Sequence, residues 1–158
     1  MSFPKMRRKK QELETAECEA ILFECSTGYL GVQGVDGYPY VVPLNYVFWN
    51  ECIYFHCALS GHKVEAIKAN PKVSFCVVAQ DDVIPELFAT AYRSVIAFGK
   101  AYPVEDPSEK RESLEMLGRK YNPDEEALQA EIEPSFDRTL IVRIEIDHLS
   151  GKQALSLV

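Results

Sequence analysis

The chain has 158 residues, of which 47% are apolar and 26% charged, a composition typical of one globular domain with a substantial core. The formal net charge of −7 argues against general nucleic-acid binding, which usually needs a basic surface. No apolar run reaches the roughly 18 residues of a membrane-spanning helix, and no apolar segment follows the basic N-terminus as in a signal peptide, so we expect a cytoplasmic protein without membrane contact.

The N-terminal half of the sequence predicts a helix followed by strands. Residues 1–12 form a basic arm containing MRRKKQ. Thr15 is the expected N-cap of a helix that runs to about Cys25. The following stretch is rich in β-branched and aromatic residues, and DG at Asp36–Gly37 is a hairpin signal. We expect three consecutive antiparallel strands, at about 28–34, 38–48 and 52–57.

The C-terminal half continues this alternation of strands and helices. The segment GHKVEAIKAN predicts a helix that ends before Pro71, KVSFCVVAQ a strand, and DDVIPELF a loop. TAYRSVIAFGKAYPVE predicts a long strand, with Gly99 at a bulge or a close backbone approach. A charged helical insertion at 106–133 precedes a final alternating strand, after which His148 is expected at the surface.

These elements predict a mainly β fold in which helices flank about six antiparallel strands. Such a pattern suits a closed or partly closed barrel, and consecutive strands lack the crossover helices of a parallel sheet. We expect a single domain over residues 1–158.

The five cysteines are odd in number and include no CxxC pair, which argues against a disulfide framework and a zinc site. We expect buried, reduced thiols, with Cys57 as the candidate for a reactive cysteine. The sequence also lacks HxH and HExxH, so no metal site is predicted. GxGxxG and GxxxxGK[ST] are missing too, as is a nucleophile motif for a serine hydrolase.

Gly61, His62 and Lys63 stand together where a helix begins. A helix start offers unpaired N–H groups and the positive end of the helix dipole. An ammonium and an imidazole at this point would complete a seat for an anion such as phosphate. The alternative is a solvated helix start that carries two surface charges.

The stretch GYPYVVPLNYVF offers a place for a flat molecule. Pro43 removes one donor from a strand, Asn45 supplies a mixed amide, and aromatic residues surround them. The alternative is a sheet edge that proline protects from pairing. Arg93 and Ser94, at the start of the long strand, could reach a phosphate or a ring carbonyl, or could be an edge charge and a buried hydroxyl.

Four segments of the sequence, in this order, resemble the nitroimidazole-resistance (Nim) family: MRRKKQE, GYPYVVPLNY, IYFHCALSGHKVEAIKANPKVSF and YRSVIAFGKA. That family belongs to the superfamily of pyridoxamine 5′-phosphate oxidase-like, FMN-binding split barrels. The resemblance covers most of residues 6–103 and returns weakly at 138–152. It implies a six-stranded antiparallel split β-barrel that forms a homodimer with FMN at the subunit interface.

The resemblance also implies roles for individual residues. Lys63 matches a phosphate-binding lysine, His62 stands where the oxidases have arginine, and Gly61 precedes both. Ser94 matches a polar residue that reaches the flavin from the dimer partner. The remaining matches are the strand that edges the isoalloxazine and the strand end beside the phosphate, namely Val42, Pro43, Leu44, Asn45, Phe55 and His56.

The function implied is that of an FMN-dependent oxidoreductase with a small-molecule substrate, and nitroimidazole reduction is the specific hypothesis. His62 or His56 could donate a proton to the reduced substrate. The substrate-binding arginines of the oxidases are not recognisable, which argues against oxidation of pyridoxamine phosphate. Two alternatives stay open: a flavin-binding protein without efficient turnover, and a split barrel that binds haem or a deazaflavin.

Overall fold

The computed structural model describes residues 2–155 and consists of a mainly antiparallel sheet with four flanking α-helices. The strands are β1 Glu12–Leu13, β2 Thr27–Gln33, β3 Pro39–Asn45, β4 Val47–Trp49, β5 Cys52–Ala58, β6 Lys72–Ile84, β7 Ala89–Pro103 and β8 Thr139–Gln153. The helices are α1 Thr15–Glu24, α2 His62–Ala69, α3 Pro107–Tyr121 and α4 Glu125–Ser135.

The sheet follows the order β3-β2-β6-β7-β8-β5-β4, and β1 pairs with β8. The predicted mainly β class with flanking helices is confirmed, but the count of six strands is not, because the sheet contains eight. Strands β1 and β4 have only two and three residues, too few for a periodic pattern to appear in the sequence. The core lies on the inner face of the sheet and is covered by α1 and α2.

The predicted strand 38–48 is divided at Tyr46, where the chain passes from β3 at one edge of the sheet to β4 at the other. The side chain of Tyr46 is fully buried, and its hydroxyl donates to the Leu22 carbonyl over 2.7 Å. Its ring meets the Phe75 ring edge-on at 5.0 Å. This anchor interrupts the strand and brings the two edges of the sheet together, although no ladder joins β3 to β4 in the described chain.

Strands β6 and β7 form a longer hairpin than the sequence predicts. The expected loop DDVIPELF continues β6 to Ile84 and turns through a short 3-10 segment, Pro85–Leu87. Residues 80–84 pair with 89–93, and this pairing outweighs the polar composition of the segment. The hairpin therefore projects a pair of strands beyond the core.

Gly99 lies at a β-bulge between β7 and β8, as the sequence predicts. Phe98 pairs with His148 but Gly99 pairs with Ile146, so β8 carries one extra residue at this point. A Cβ atom on Gly99 would collide with the carbonyl oxygen of Glu145. The glycine thus permits a close approach of two backbones.

The structure differs from the sequence-based expectation for the N-cap of α1 and for the position of His148. The N-cap of α1 is Glu14 rather than Thr15, because the Glu14 N–H donates to the Glu17 carboxylate over 3.0 Å. His148 lies within β8, and its ring is half-buried and stacks on Phe3 of the N-terminal arm at 4.7 Å. Within residues 2–155, no helix is long and apolar enough to cross a membrane.

Candidate functional site

The N-terminus of α2 is open to solvent. Gly61 is its N-cap, with φ of +141°, a conformation that favours glycine. In the part of the chain that the structure describes, no side chain caps the helix, and a Cβ atom on Gly61 would meet nothing within 4 Å. The first N–H groups of α2 therefore face an accessible space.

The two residues after Gly61 are oriented by neighbouring strands. The His62 ring meets the Tyr40 ring of β3 edge-on, with centroids 4.7 Å apart. The Lys63 ammonium lies 6.0 Å from the centroid of the Phe55 ring in β5. The structure thus places the predicted anion seat between β3 and the end of β5.

His56 and Cys57 lie at that end of β5, near Lys63. Desolvation of the imidazole and the charge of Lys63 lower the pKa of His56, so its ring is neutral at neutral pH. Burial raises the pKa of the Cys57 thiol, and the smaller effect of Lys63 opposes this. The environment of Cys57 therefore keeps the thiol protonated and argues against the alternative of a reactive cysteine at this position.

Strand β3 is an edge strand, and no other strand of residues 2–155 pairs with its outer edge. It pairs with β2 along seven residues despite Pro43, so the proline nitrogen faces away from β2. Backbone groups two residues apart face the same side, so Val41 and Asn45 also present N–H and C=O groups there. The side chains of Val42 and Leu44 pack against the core and hold this edge in position.

The Asn45 side chain has a structural contact that the sequence does not reveal. Its amide nitrogen donates to the Ser26 carbonyl over 3.1 Å. The amide thereby ties the end of β3 to the start of β2. The amide oxygen of Asn45 remains available for the predicted contact with a ligand.

A cavity of about 590 Å³ opens beside Asn45 and His56. Its remaining walls come mainly from α3 and α4, including Leu117 and Leu128. From Tyr40 beside His62 to Asn45 beside the cavity, β3 spans roughly 17 Å at the rise of an extended strand. The free edge of β3 thus connects the helix terminus to the cavity.

Lys120 and Tyr121, which sequence reasoning missed, fix this end of β3. The Lys120 ammonium donates to the carbonyls of Cys25 and Tyr46, and the Tyr121 hydroxyl donates to the carbonyls of Tyr46 and Ser26. Burial lowers the pKa of Lys120 to about 8. The only signal in the sequence is a lysine–tyrosine pair before NP, which does not indicate a partner.

Ser94 and Arg93 are not brought to this site within one chain. Strands β2 and β6 separate β3 from β7, a distance of roughly 14 Å at the usual strand spacing. Ser94 is half-buried on the outer face of the sheet, paired with Val78. Arg93 forms an ion pair with Glu17 of α1 at 3.2 Å, which is a structural contact.

The family model of pyridoxamine 5′-phosphate oxidase matches residues 14–153 of the chain. The chain belongs to the pyridoxamine 5′-phosphate oxidase family. The match spans β3, β5 and α2, and therefore the whole of the candidate site.

Among the described residues, no group of three His, Cys, Asp or Glu side chains is arranged to hold a metal ion.

Several solved structures resemble this member of the pyridoxamine 5′-phosphate oxidase family. A FAD-binding protein from Mesorhizobium loti is 26% identical, with a TM-score of 0.64, 91% of this chain covered and 97% of that chain. A candidate 5-nitroimidazole antibiotic resistance protein from Bacteroides thetaiotaomicron is 23% identical, with a TM-score of 0.73 and coverages of 89% and 85%. A FAD- and haem-binding protein from Mycobacterium smegmatis is 20% identical, with a TM-score of 0.77 and coverages of 92% and 74%. No curated protein matches the chain.

Proposed function

We propose that this protein is a flavin-dependent oxidoreductase that binds FMN along the free edge of β3. The observation that carries the proposal is the continuity of three features: the open N-terminus of α2, the free edge of β3 and the cavity beside His56. A phosphate at one end, a flat heterocycle along an edge of donors and acceptors, and a substrate space at the other end match the parts of a flavin site.

The residues present fit the phosphate of a flavin. The N–H groups at the start of α2, the Lys63 ammonium and the His62 imidazole could all donate to an anion without displacement of a capping side chain. Phe55 and His56 form the neighbouring wall. Val42, Pro43, Leu44 and Asn45 would place the ring through the backbone edge of β3.

The bound flavin would supply the electron transfer, and the chain would orient its ring and control access to it. His56 lies in the cavity wall, so it is the better placed of the two histidines to contact a substrate. His62 lies against Tyr40, beside the phosphate seat. We assign His62 to anion binding and His56 to a hydrogen bond, or a proton, for the substrate.

The active form in this proposal is a homodimer. Four large apolar side chains are exposed on the outer face of adjacent strands β3, β2, β6 and β7, namely Val41, Tyr29, Val78 and Ile96. Ser94 lies on the same face. Packing two copies over this face would bring Ser94 of the partner subunit towards the flavin, which one chain alone does not achieve.

Nitroimidazole reduction is the specific reaction that we propose for this oxidoreductase. It rests on the resemblance of the four sequence segments and on the similar fold of the Bacteroides protein. The similar proteins named as FAD-binding and haem-binding favour a second candidate, a binding protein for FAD or haem without efficient turnover.

The absorption spectrum of the purified protein tests the cofactor. A flavin spectrum, with FMN as the chromophore released on denaturation, is the expected result. Release of FAD or of haem would contradict FMN as the cofactor and would support the second candidate function. A colourless protein that takes up no added FMN, FAD or haem would overturn both.

Anaerobic reoxidation of the flavin tests turnover. The flavin is photoreduced with EDTA as the electron donor and then mixed in the dark with 2-methyl-5-nitroimidazole, and its absorbance is followed. We expect reoxidation by the nitro compound, and a rate at least about tenfold lower in His56→Asn at unchanged flavin content. No reoxidation by the nitro compound would contradict nitroreduction. An equal rate in the variant would contradict the role of His56.

A further inference from the structure

The cavity beside His56 has apolar walls that belong to the helical insertion. Its volume is about 590 Å³, within the range of small-molecule sites. Helices α3 and α4 contribute Leu114, Leu117, Leu128 and Ile132. These helices pack closely where Gly118 meets Leu128, since a Cβ atom on Gly118 would collide with the Leu128 side chain. The cavity is therefore a consequence of how the hairpin α3–α4 sits against β5 and β8.

Few polar groups in the wall are free to bind a ligand. The hydroxyl of Ser135 donates to the Glu131 carbonyl over 2.7 Å, and that of Thr139 to the Ser135 carbonyl over 2.9 Å. Within residues 2–155, no side-chain hydrogen bond involves the His56 imidazole or the Glu131 carboxylate. The amide oxygen of Asn45 and the amide nitrogen of Asn122 are also left without a partner among these residues. The polar contacts that a ligand would meet are therefore one imidazole, one carboxylate and two uncharged amides.

The wall of the cavity is itself neutral to negative, and Lys63, the cation near His56, belongs to the predicted anion seat and not to this wall. None of the described residues in its wall is lysine or arginine, and Glu131 is a carboxylate exposed at the wall. His56 adds no positive charge, because the desolvation and the Lys63 charge that lower its pKa keep it neutral. An anionic ligand would find no counter-charge in this wall and would lie near a carboxylate.

We propose that this cavity is the substrate subsite beside the flavin and that it selects apolar organic molecules that are neutral or cationic. Anionic and phosphorylated molecules are excluded by charge. The inference rests on the proposed flavin site, since Asn45 and His56 belong to both. It argues against pyridoxamine 5′-phosphate, after which the family is named, as a substrate of this chain.

Three probes of one shape and different charge test the selection. They are 2-naphthylmethanol, 2-naphthylmethylamine and 2-naphthoate, titrated by calorimetry into protein of measured flavin content. We expect the alcohol and the amine to bind, and the carboxylate to bind at least about tenfold more weakly. In Glu131→Gln the preference for the amine over the alcohol should fall by about two- to fivefold, as expected for a partly exposed charge pair.

Two matched variants of α4 test the location. Ala127 lines the cavity, whereas Ala130, also exposed on α4, does not. Ala127→Trp should weaken binding of 2-naphthylmethanol by at least about tenfold through loss of space, and Ala130→Trp should leave it unchanged. Both variants should keep the flavin content and the unfolding temperature of the parent.

The outcomes separate failure of the inference from failure of the proposed function. Equal binding of naphthoate and alcohol, or equal effects of the two tryptophans, would overturn the subsite. Loss of flavin uptake in a folded Ala127→Trp protein would show that the cavity holds the flavin itself, and would also overturn it. A parent protein that binds no flavin but still binds the neutral probe would refute the proposed function, while the charge selection of the cavity would stand.

Discussion

At the residue scale, some groups of the site can be predicted from local sequence and others cannot. Gly61, His62 and Lys63 are adjacent in the chain, so their grouping at a helix start follows from local pattern alone. Lys120 and Tyr121 reach carbonyls that are at least 74 residues away, and no local pattern predicts those partners. The presence of His56 and Asn45 in the wall of one cavity likewise depends on how β3 and β5 are placed in three dimensions.

Replacing Lys63 tests the phosphate seat. Lys63→Met removes the ammonium while keeping a long apolar stem, so FMN affinity should fall by about ten- to a hundredfold, the loss of a charge-assisted contact. Flavin fluorescence titration measures it. Lys68→Met is the control, because Lys68 lies at the other end of α2 in an exposed pair with Glu65 at 3.9 Å. Equal losses in both variants would refute a specific phosphate contact at Lys63.

Lys120 should make stability depend on pH. Its pKa is about 8 in the folded protein against 10.5 for the free group, so between these values the unfolded chain binds more protons. The free energy of unfolding contributed by Lys120 should therefore rise from pH 8 to pH 10, by at most about 3 kcal/mol.

Urea unfolding at several pH values measures this effect as the difference between the parent and Lys120→Met. The difference matters because the buried thiols act in the opposite direction: burial raises the pKa of Cys18 to about 11, so that thiol lowers stability as the pH rises through 9. Parallel pH profiles for the parent and the variant would exclude a depressed pKa at Lys120.

At the element scale, segments with a strong period were predicted and segments that depend on a partner were not. The final strand alternates clearly from Leu140 to Ile146, and β8 contains it. The polar segment 80–84 becomes strand because residues 89–93 lie beside it, which overrides its local preference. Strand β3 ends at Asn45 because the next side chain, Tyr46, is buried and its hydroxyl donates to the Leu22 carbonyl, a contact that composition does not reveal.

The bulge at Gly99 gives a test at the level of one strand pair. Gly99→Ala would force the Glu145 carbonyl, a backbone atom, to move, and should cost about 2–4 kcal/mol of stability. Gly31→Ala in β2 is the matched control. Its Cβ would lie 2.9 Å from the Ser74 hydroxyl, which can rotate away, so the cost should stay below about 1 kcal/mol. Urea unfolding measures both, and similar costs would mean that the bulge tolerates a Cβ.

At the scale of the whole molecule, the sheet is curled so that its two edges are joined through Tyr46, and the flavin site proposed here lies along one of them. The edge strand β3 would be prone to pairing with another chain if it were left free. Pro43 limits such pairing while leaving the backbone groups of its neighbours available. In this view the same proline protects the edge and keeps it open for a cofactor.

The dimer is the prediction that involves the whole molecule. Ile96→Arg places a charge in the middle of the apolar outer face, where a second copy would have to desolvate it. We expect the variant to be a monomer by light scattering and to lose flavin, although Ile96 lies on β7, which β2 and β6 separate from β3. Phe23→Arg is the control, because Phe23 is 68% exposed on α1 and so tests an added charge elsewhere on the surface.

If Ile96→Arg loses its flavin but keeps the mass of a dimer, the outer face affects flavin binding without being the dimer interface. A dimeric Ile96→Arg protein that retains its flavin would show that the outer face is not the interface. If Ser94 of the partner subunit contributes to the site, Ser94→Ala should weaken flavin binding while the mass stays that of a dimer. Joint loss of dimer and flavin in Ile96→Arg, with flavin alone weakened in Ser94→Ala, is the pattern that only a site shared between subunits produces.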